Sequence, residues 1–181
     1  MSAVMQAAAE MELSASANAH LGADMTGQSA VQALLAADAV PDALKLAARL
    51  LPKRYAVAWV CQCARDQALS LEDKAGLSLA EAWVRDPSEG NRRAAFEFAN
   101  AGQYQSIGAW IAAAAGWSGG SLAPVEQEML VPPAEHLTAR AVVAALNLLA
   151  GLVVTEFDER RRAFIDRAMR LLGSGQTPGQ A

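Results

Sequence analysis

The segment from Gln103 to Ala141 restricts the fold more than any other part of the chain. It joins an alanine-rich stretch carrying Trp110 and Trp117 to a glycine-rich pentapeptide, Trp117-Ser118-Gly119-Gly120-Ser121. A connection broken by Pro124, Pro132 and Pro133 follows, and then the most apolar run of the chain, Ala141–Val154. Alanine at this density favours helix and close approach between helices. Glycine and proline stop one helix and delay the next. Elsewhere the apolar residues recur at helical spacing, and no segment reads as a strand. The pattern predicts an all-α fold: a single-domain bundle of about six to seven helices, with a long Gly/Pro-rich loop over residues 118–135.

A chain of 181 residues is long enough to bury a real core within one domain. Only 6% of it is aromatic, and Trp59, Trp83, Trp110 and Trp117 cluster in the middle of the chain, which places the core there. The formal charge of −4 offers no electrostatic footprint for a phosphate backbone, so nucleic acid is not an expected partner. Cys61 and Cys63 stand roughly 200° apart around a helix and cannot bridge each other there. Reduced, buried thiols and a cytoplasmic setting are the expectation. The N-terminus lacks a basic n-region, and Glu10 and Glu12 interrupt its apolar residues, unlike a secretory signal. Ala141–Val154 is short for a membrane span and contains Asn147, so a buried core helix is expected.

Residues 1–28 mix Met, Ala, Ser, Gly and Asn without a lasting apolar period and read as a disordered tail, with a short helical patch near Gln6–Leu13. The helical domain is expected over residues 29–172, opening with Ser29 as an N-cap, and residues 173–181 read as a second tail. Pro41 suits a first helical turn, Ser70 with Asp73 forms a capping box, Ser88 caps a further helix, and Thr138 and Thr155 are caps for the last two. The helix over 53–67 is apolar almost all round and is expected at the centre. Ile107, Trp110, Ala114 and Trp117 form a packing stripe on the helix before the loop. On the last helix, Glu156/Arg160, Asp158/Arg162 and Asp166/Arg170 are spaced for i,i+4 ion pairs.

Little in the chain carries catalytic chemistry. Gly116-Trp117-Ser118-Gly119-Gly120 matches G-x-S-x-G, but that motif needs a strand-to-helix turn beside an oxyanion hole. Here a helix precedes it and a loop follows, which reads as a glycine turn. A serine hydrolase using Ser118 and His136 is the alternative. No Cys/His/carboxylate set has metal-ligand spacing, and no cofactor motif is present. Arg160-Arg161-Arg162 is neutralised by Asp158, Glu159 and Asp166. Arg85-Asp86 and Arg92-Arg93 flank the Pro87-Ser88 turn and are expected to tie two helix ends together.

The pieces Trp83-Val84-Arg85-Asp86-Pro87, Asn91-Arg92-Arg93-Ala94, Trp117-Ser118-Gly119-Gly120-Ser121 and His136-Leu137-Thr138 resemble a family of uncharacterised bacterial proteins, a domain of unknown function, over roughly residues 30–150. The resemblance links the chain to type VI secretion loci and implies an accessory or adaptor rather than an effector enzyme. It carries over no catalytic residue. The expectation is a non-enzymatic module that binds another protein through the Trp117–Leu122 loop and the 124–135 connection, with Arg85, Arg92, Arg93, Trp117, Ser118, Gly119, Gly120 and His136 as candidate interaction residues. Self-association into a homodimer through the apolar 141–154 helix is a further reading.

Overall fold

The computed structural model describes residues 1–174, which are helical and without strands. In order the helices are α1 (Ala3–Glu10), α2 (Ala15–Asn18), α3 (Gly27–Ala36), α4 (Val40–Leu50), α5 (Lys53–Arg65), α6 (Leu71–Arg85), α7 (Glu89–Ala101), α8 (Ile107–Gly116), α9 (Leu137–Gly151) and α10 (Phe157–Ser174), with a 3-10 turn at Val154–Glu156. The helix count is therefore higher than expected, in part because the N-terminal segment is folded. The chain forms two compact units, one of Met1–Pro52 with the described chain from Ala150 onward, the other of Lys53–Leu149.

In the first unit, residues 1–28 are not a disordered tail. Ser2 Oγ accepts from Met5 N at 3.4 Å, capping α1, and Ser14 Oγ accepts from Ala17 N at 3.1 Å, capping α2. Val4, Ala7, Ala8 and Met11 bury one helical face, and Leu13 and Ala17 are buried beyond it. Polar ties fasten the segment to α4, among them Lys45 Nζ donating to Glu12 O at 3.4 Å. Asp42 accepts from Ser14 N at 3.0 Å and from Ser14 Oγ at 2.9 Å, and Arg49 pairs with Glu10 at 2.5 Å. Small polar residues concealed this order because their anchors lie on another helix. The expected C-terminal tail begins inside α10, which runs to Ser174, and residues 175–181 lie outside the described residues.

Thr26, not Ser29, caps α3: its Oγ1 accepts from Ser29 N at 3.1 Å, so Ser29 is the third residue of the helix. Helices α1 and α3 end alike. Leu13 N donates to Ala8 O at 3.1 Å and Ala39 N to Leu34 O at 2.9 Å, each across a left-handed residue, Glu12 (φ 53°) and Asp38 (φ 57°). These are Schellman endings built without glycine. Pro41 does fall in the first turn of α4. On α10, Arg162 pairs with Asp38 instead of Asp158, and Asp158 pairs with Arg161 one turn on. Thr155 lies inside the 3-10 turn.

The second unit is built around α8 rather than α5. Gly108, Ala109 and Ile111 through Gly116 are all buried. A Cβ on Gly76 of α6 would stand 2.2 Å from Gly108 O, one on Gly108 2.6 Å from Asp73 Cα, and one on Gly116 2.6 Å from Phe96 Cα. Helix α8 thus meets α6 at one end and α7 at the other, backbone against backbone, a separation that only missing side chains permit. By contrast α5 buries Val57, Trp59, Val60, Cys61 and Cys63 while Tyr55, Gln62 and Arg65 remain exposed, so it covers the core from one side. Burial pushes the Cys61 thiol well above its ordinary pKa, which keeps it protonated and unreactive.

Asp73 joins two elements here. Its backbone N–H donates to Ser70 Oγ at 3.1 Å, its Oδ2 accepts from that hydroxyl at 2.9 Å, and its Oδ1 accepts from Gly108 N at 2.8 Å. One carboxylate therefore serves the first turns of both α6 and α8. Ser88 caps α7 as expected, accepting from Asn91 N at 3.3 Å. The α6–α7 corner is tied by Asn91, whose Nδ2 donates to Asp86 O at 2.8 Å, and not by the arginines around it. In α9, Ala141, Val142, Ala145, Leu146 and Leu149 are buried. No single helix among the described residues is long and apolar enough to cross a membrane.

Candidate functional site

Helix α8 ends at Gly116 and runs straight into Trp117-Ser118-Gly119-Gly120-Ser121. The last carbonyls of a helix have no intrahelical donors and carry its negative dipole end. Side chains from remote parts of the second unit supply what is missing. Thr138 Oγ1 donates to Ala114 O at 2.9 Å, Arg92 Nη1 to Gly116 O at 2.7 Å, and Lys53 Nζ to Ser118 O at 3.0 Å. Further along, Arg92 Nη2 reaches Ser121 O at 3.5 Å and Arg93 Nη1 reaches Ala123 O at 3.1 Å. Thr138 is therefore spent on α8, and its expected role as a cap of α9 is not the one it plays.

Arg92 is the centre of this arrangement and is only 3% exposed. Glu89, one turn earlier on α7, accepts from its Nε at 2.7 Å and its Nη2 at 2.6 Å. Those hydrogen bonds hold the Glu89 carboxyl below the ordinary carboxylate pKa. With one edge of the fork on Glu89 and the other on the loop, the planar guanidinium fixes the loop at a set distance from α7. Gly120 lies against it with φ +64°, and a Cβ there would fall 2.7 Å from Arg92 Nε. Both the backbone angle and the space require glycine at 120. Gly119 has no atom within 4 Å of a built Cβ, so neither reason applies to it.

The rest of the loop closes on itself. Ser121, buried, accepts through Oγ from Ala123 N at 3.1 Å and Val131 N at 3.0 Å, and Leu122 N donates to Val131 O at 2.8 Å. A tight turn, Gln127 N to Pro124 O at 3.0 Å, forms the far end. Lys53 also pairs with Glu135 at 3.1 Å, pinning the descending limb before α9. This fastened loop shows Val125, Met129, Leu130 and Val131 to solvent at 67%, 76%, 75% and 44% exposure.

The residues expected to form one recognition surface are thus divided. Arg92 and Arg93 meet the Trp117–Ser121 loop, but as its internal supports. Trp117 packs at 5.9 Å edge-to-face on Trp110 and at 5.5 Å on Tyr104, a half-buried aromatic cluster. Tyr104 is carried there by two successive left-handed residues, Gln103 (φ 51°) and Tyr104 itself (φ 57°). Ser118 closes the last turn of α8, its N–H donating to Ala115 O at 3.1 Å, and so follows a helix rather than a strand. His136 is half-buried just ahead of α9, its carbonyl accepting from Arg140 N at 3.0 Å. Arg85 is exposed at the end of α6, and its carbonyl accepts from Arg54 Nη2 at 3.2 Å. Sequence reasoning gave no loop-holding role to Lys53, Glu135, Ser121 or Thr138; Lys53 in particular carries no local signal. It placed the 124–135 connection in the binding surface without singling out Met129-Leu130-Val131, the apolar run in an otherwise polar segment. Among the described residues no group of three or more His, Cys, Asp or Glu is placed to hold a metal ion.

Comparison with curated proteins and with solved structures gave no match. The model of one protein family covers residues 30–172, a span that contains the Arg92–Arg93 pair, the Trp117–Ser121 loop and the His136–Thr138 piece, so the chain belongs to the family of unknown function DUF6931.

Proposed function

We propose that this protein is a non-enzymatic protein-interaction module whose docking element is the fastened loop over residues 122–131. One observation carries the reading. Four large apolar side chains, Val125, Met129, Leu130 and Val131, are held in water on a loop whose base is clamped by Arg92, Arg93, Ser121 and Lys53. Contiguous exposed apolar surface on a positioned loop is the mark of a binding site. Clamping the base before a partner arrives lowers the ordering cost of association. The secretion accessory or adaptor role that the family resemblance implies is one form such an interaction takes. An active Ser118 lacks comparable support, since its backbone serves the end of a helix.

Affinity capture from a lysate of the source organism tests the reading, with the wild-type chain and Met129→Ser/Leu130→Ser as baits of matched helicity. Selective loss of a prey protein from the variant is the expected result. The same prey on both baits would remove the loop from the binding surface. An empty lane together with a concentration-dependent mass in light scattering would replace the reading with self-association.

A further inference from the structure

Resting on that interaction reading, we infer that the groove between α7 and the loop receives an apolar anchor side chain from a partner segment that carries Lys or Arg on both sides of the anchor. The groove encloses about 390 Å³. That volume suits one or two large side chains and lies at the small end of the range for ligand sites. Phe96 of α7 and Leu122, Pro124 and Val125 of the loop form the apolar part of a mixed lining, which Asn100 of α7 shares. Carboxylates stand on both walls, Glu97 on α7 and Glu126 on the loop, each exposed. Arg93 also lines the groove, its Nη1 donating to Ala123 O at 3.1 Å and its guanidinium 5.3 Å from the centre of the Phe96 ring, and its single positive charge is outnumbered by the two carboxylates. Glu128, exposed on the same loop, adds to the acidic side.

An apolar anchor flanked by acids would bring like charges together as the rim loses water, whereas basic flanks are attracted before contact. Exposed rim pairs add little affinity individually. The anchor therefore supplies the affinity, and the acidic walls choose between partners.

Two synthetic peptides test this, titrated into the full 15N-labelled chain. Each contains a Leu-Leu pair, flanked in one by paired lysines and in the other by paired glutamates. The lysine peptide is expected to move the amide resonances of Glu97, Leu122, Val125 and Glu126 and to bind about tenfold more tightly at low salt. In Glu97→Lys/Glu126→Lys the preference should reverse. Equal affinity for the two peptides, or resonance changes confined to other residues, overturns the inference. If that happens while Met129→Ser/Leu130→Ser still loses its captured prey, the docking loop stands and the basic class of partner falls.

Discussion

Arg92 shows how a residue that looks available in the sequence can be wholly committed in the fold. Its pair with Glu89 contributes little by itself, because the Glu89 side chain is 65% exposed and screened by water. The larger effect is at the loop, where Gly116 O and Ser121 O depend on the guanidinium inside the protein. A buried carbonyl left without a donor costs about 1–3 kcal/mol. Arg92→Ala is therefore expected to lower unfolding free energy by about 3 kcal/mol, read from urea titration. Arg92→Lys should recover less than half of that, since a point charge cannot span Glu89 and two carbonyls as a fork does. Losses under about 1 kcal/mol in both variants would mean that the loop is held by other groups.

At the scale of the element, α8 is a helix whose side chains were reduced until backbones could touch. Beyond Ile107, Trp110 and Ile111 its sequence is glycine and alanine, so that part contributes proximity: α6 and α7 close on it at Gly108 and Gly116. Alanine for glycine in an exposed helix normally stabilises by about 0.5–1 kcal/mol. At Gly108 the added methyl would meet Asp73 backbone at 2.6 Å, and the helices would have to separate. Gly108→Ala is expected to cost at least about 3 kcal/mol in chemical denaturation or to prevent folding. Gly119→Ala, with no neighbour within 4 Å, provides the control and should stay within about 0.5 kcal/mol of wild type. Similar losses at the two positions would contradict the close crossing.

For the molecule as a whole, the first unit includes a segment that precedes the span covered by the family model. Val4, Met11 and Leu13 are each at most 7% exposed, and burying side chains of this size is worth roughly 1.5–3 kcal/mol apiece. Removing residues 1–28 is therefore expected to lower the melting temperature by more than about 10 °C, with an unchanged melting point as the outcome that would make the segment dispensable. Much of the architecture was readable beforehand. Pro41, Ser70 and Ser88 mark helix starts by local chemistry, and alanine and leucine at helical spacing exclude strands, because capping and periodicity are properties of neighbours in sequence. The same reasoning failed for residues 1–28 and for the choice of central helix, and it did not reach the partners of Arg92. Those depended on Asp42 meeting Ser14, on Gly76 meeting Gly108, and on Lys53, Arg92 and Thr138 converging on one helix end. The sequence by itself determined the helical class and many helix boundaries, since those energies are short-range. Only the tertiary structure decided which polar groups were consumed in holding the fold and which apolar ones were left facing water, because that depends on partners far apart in the chain.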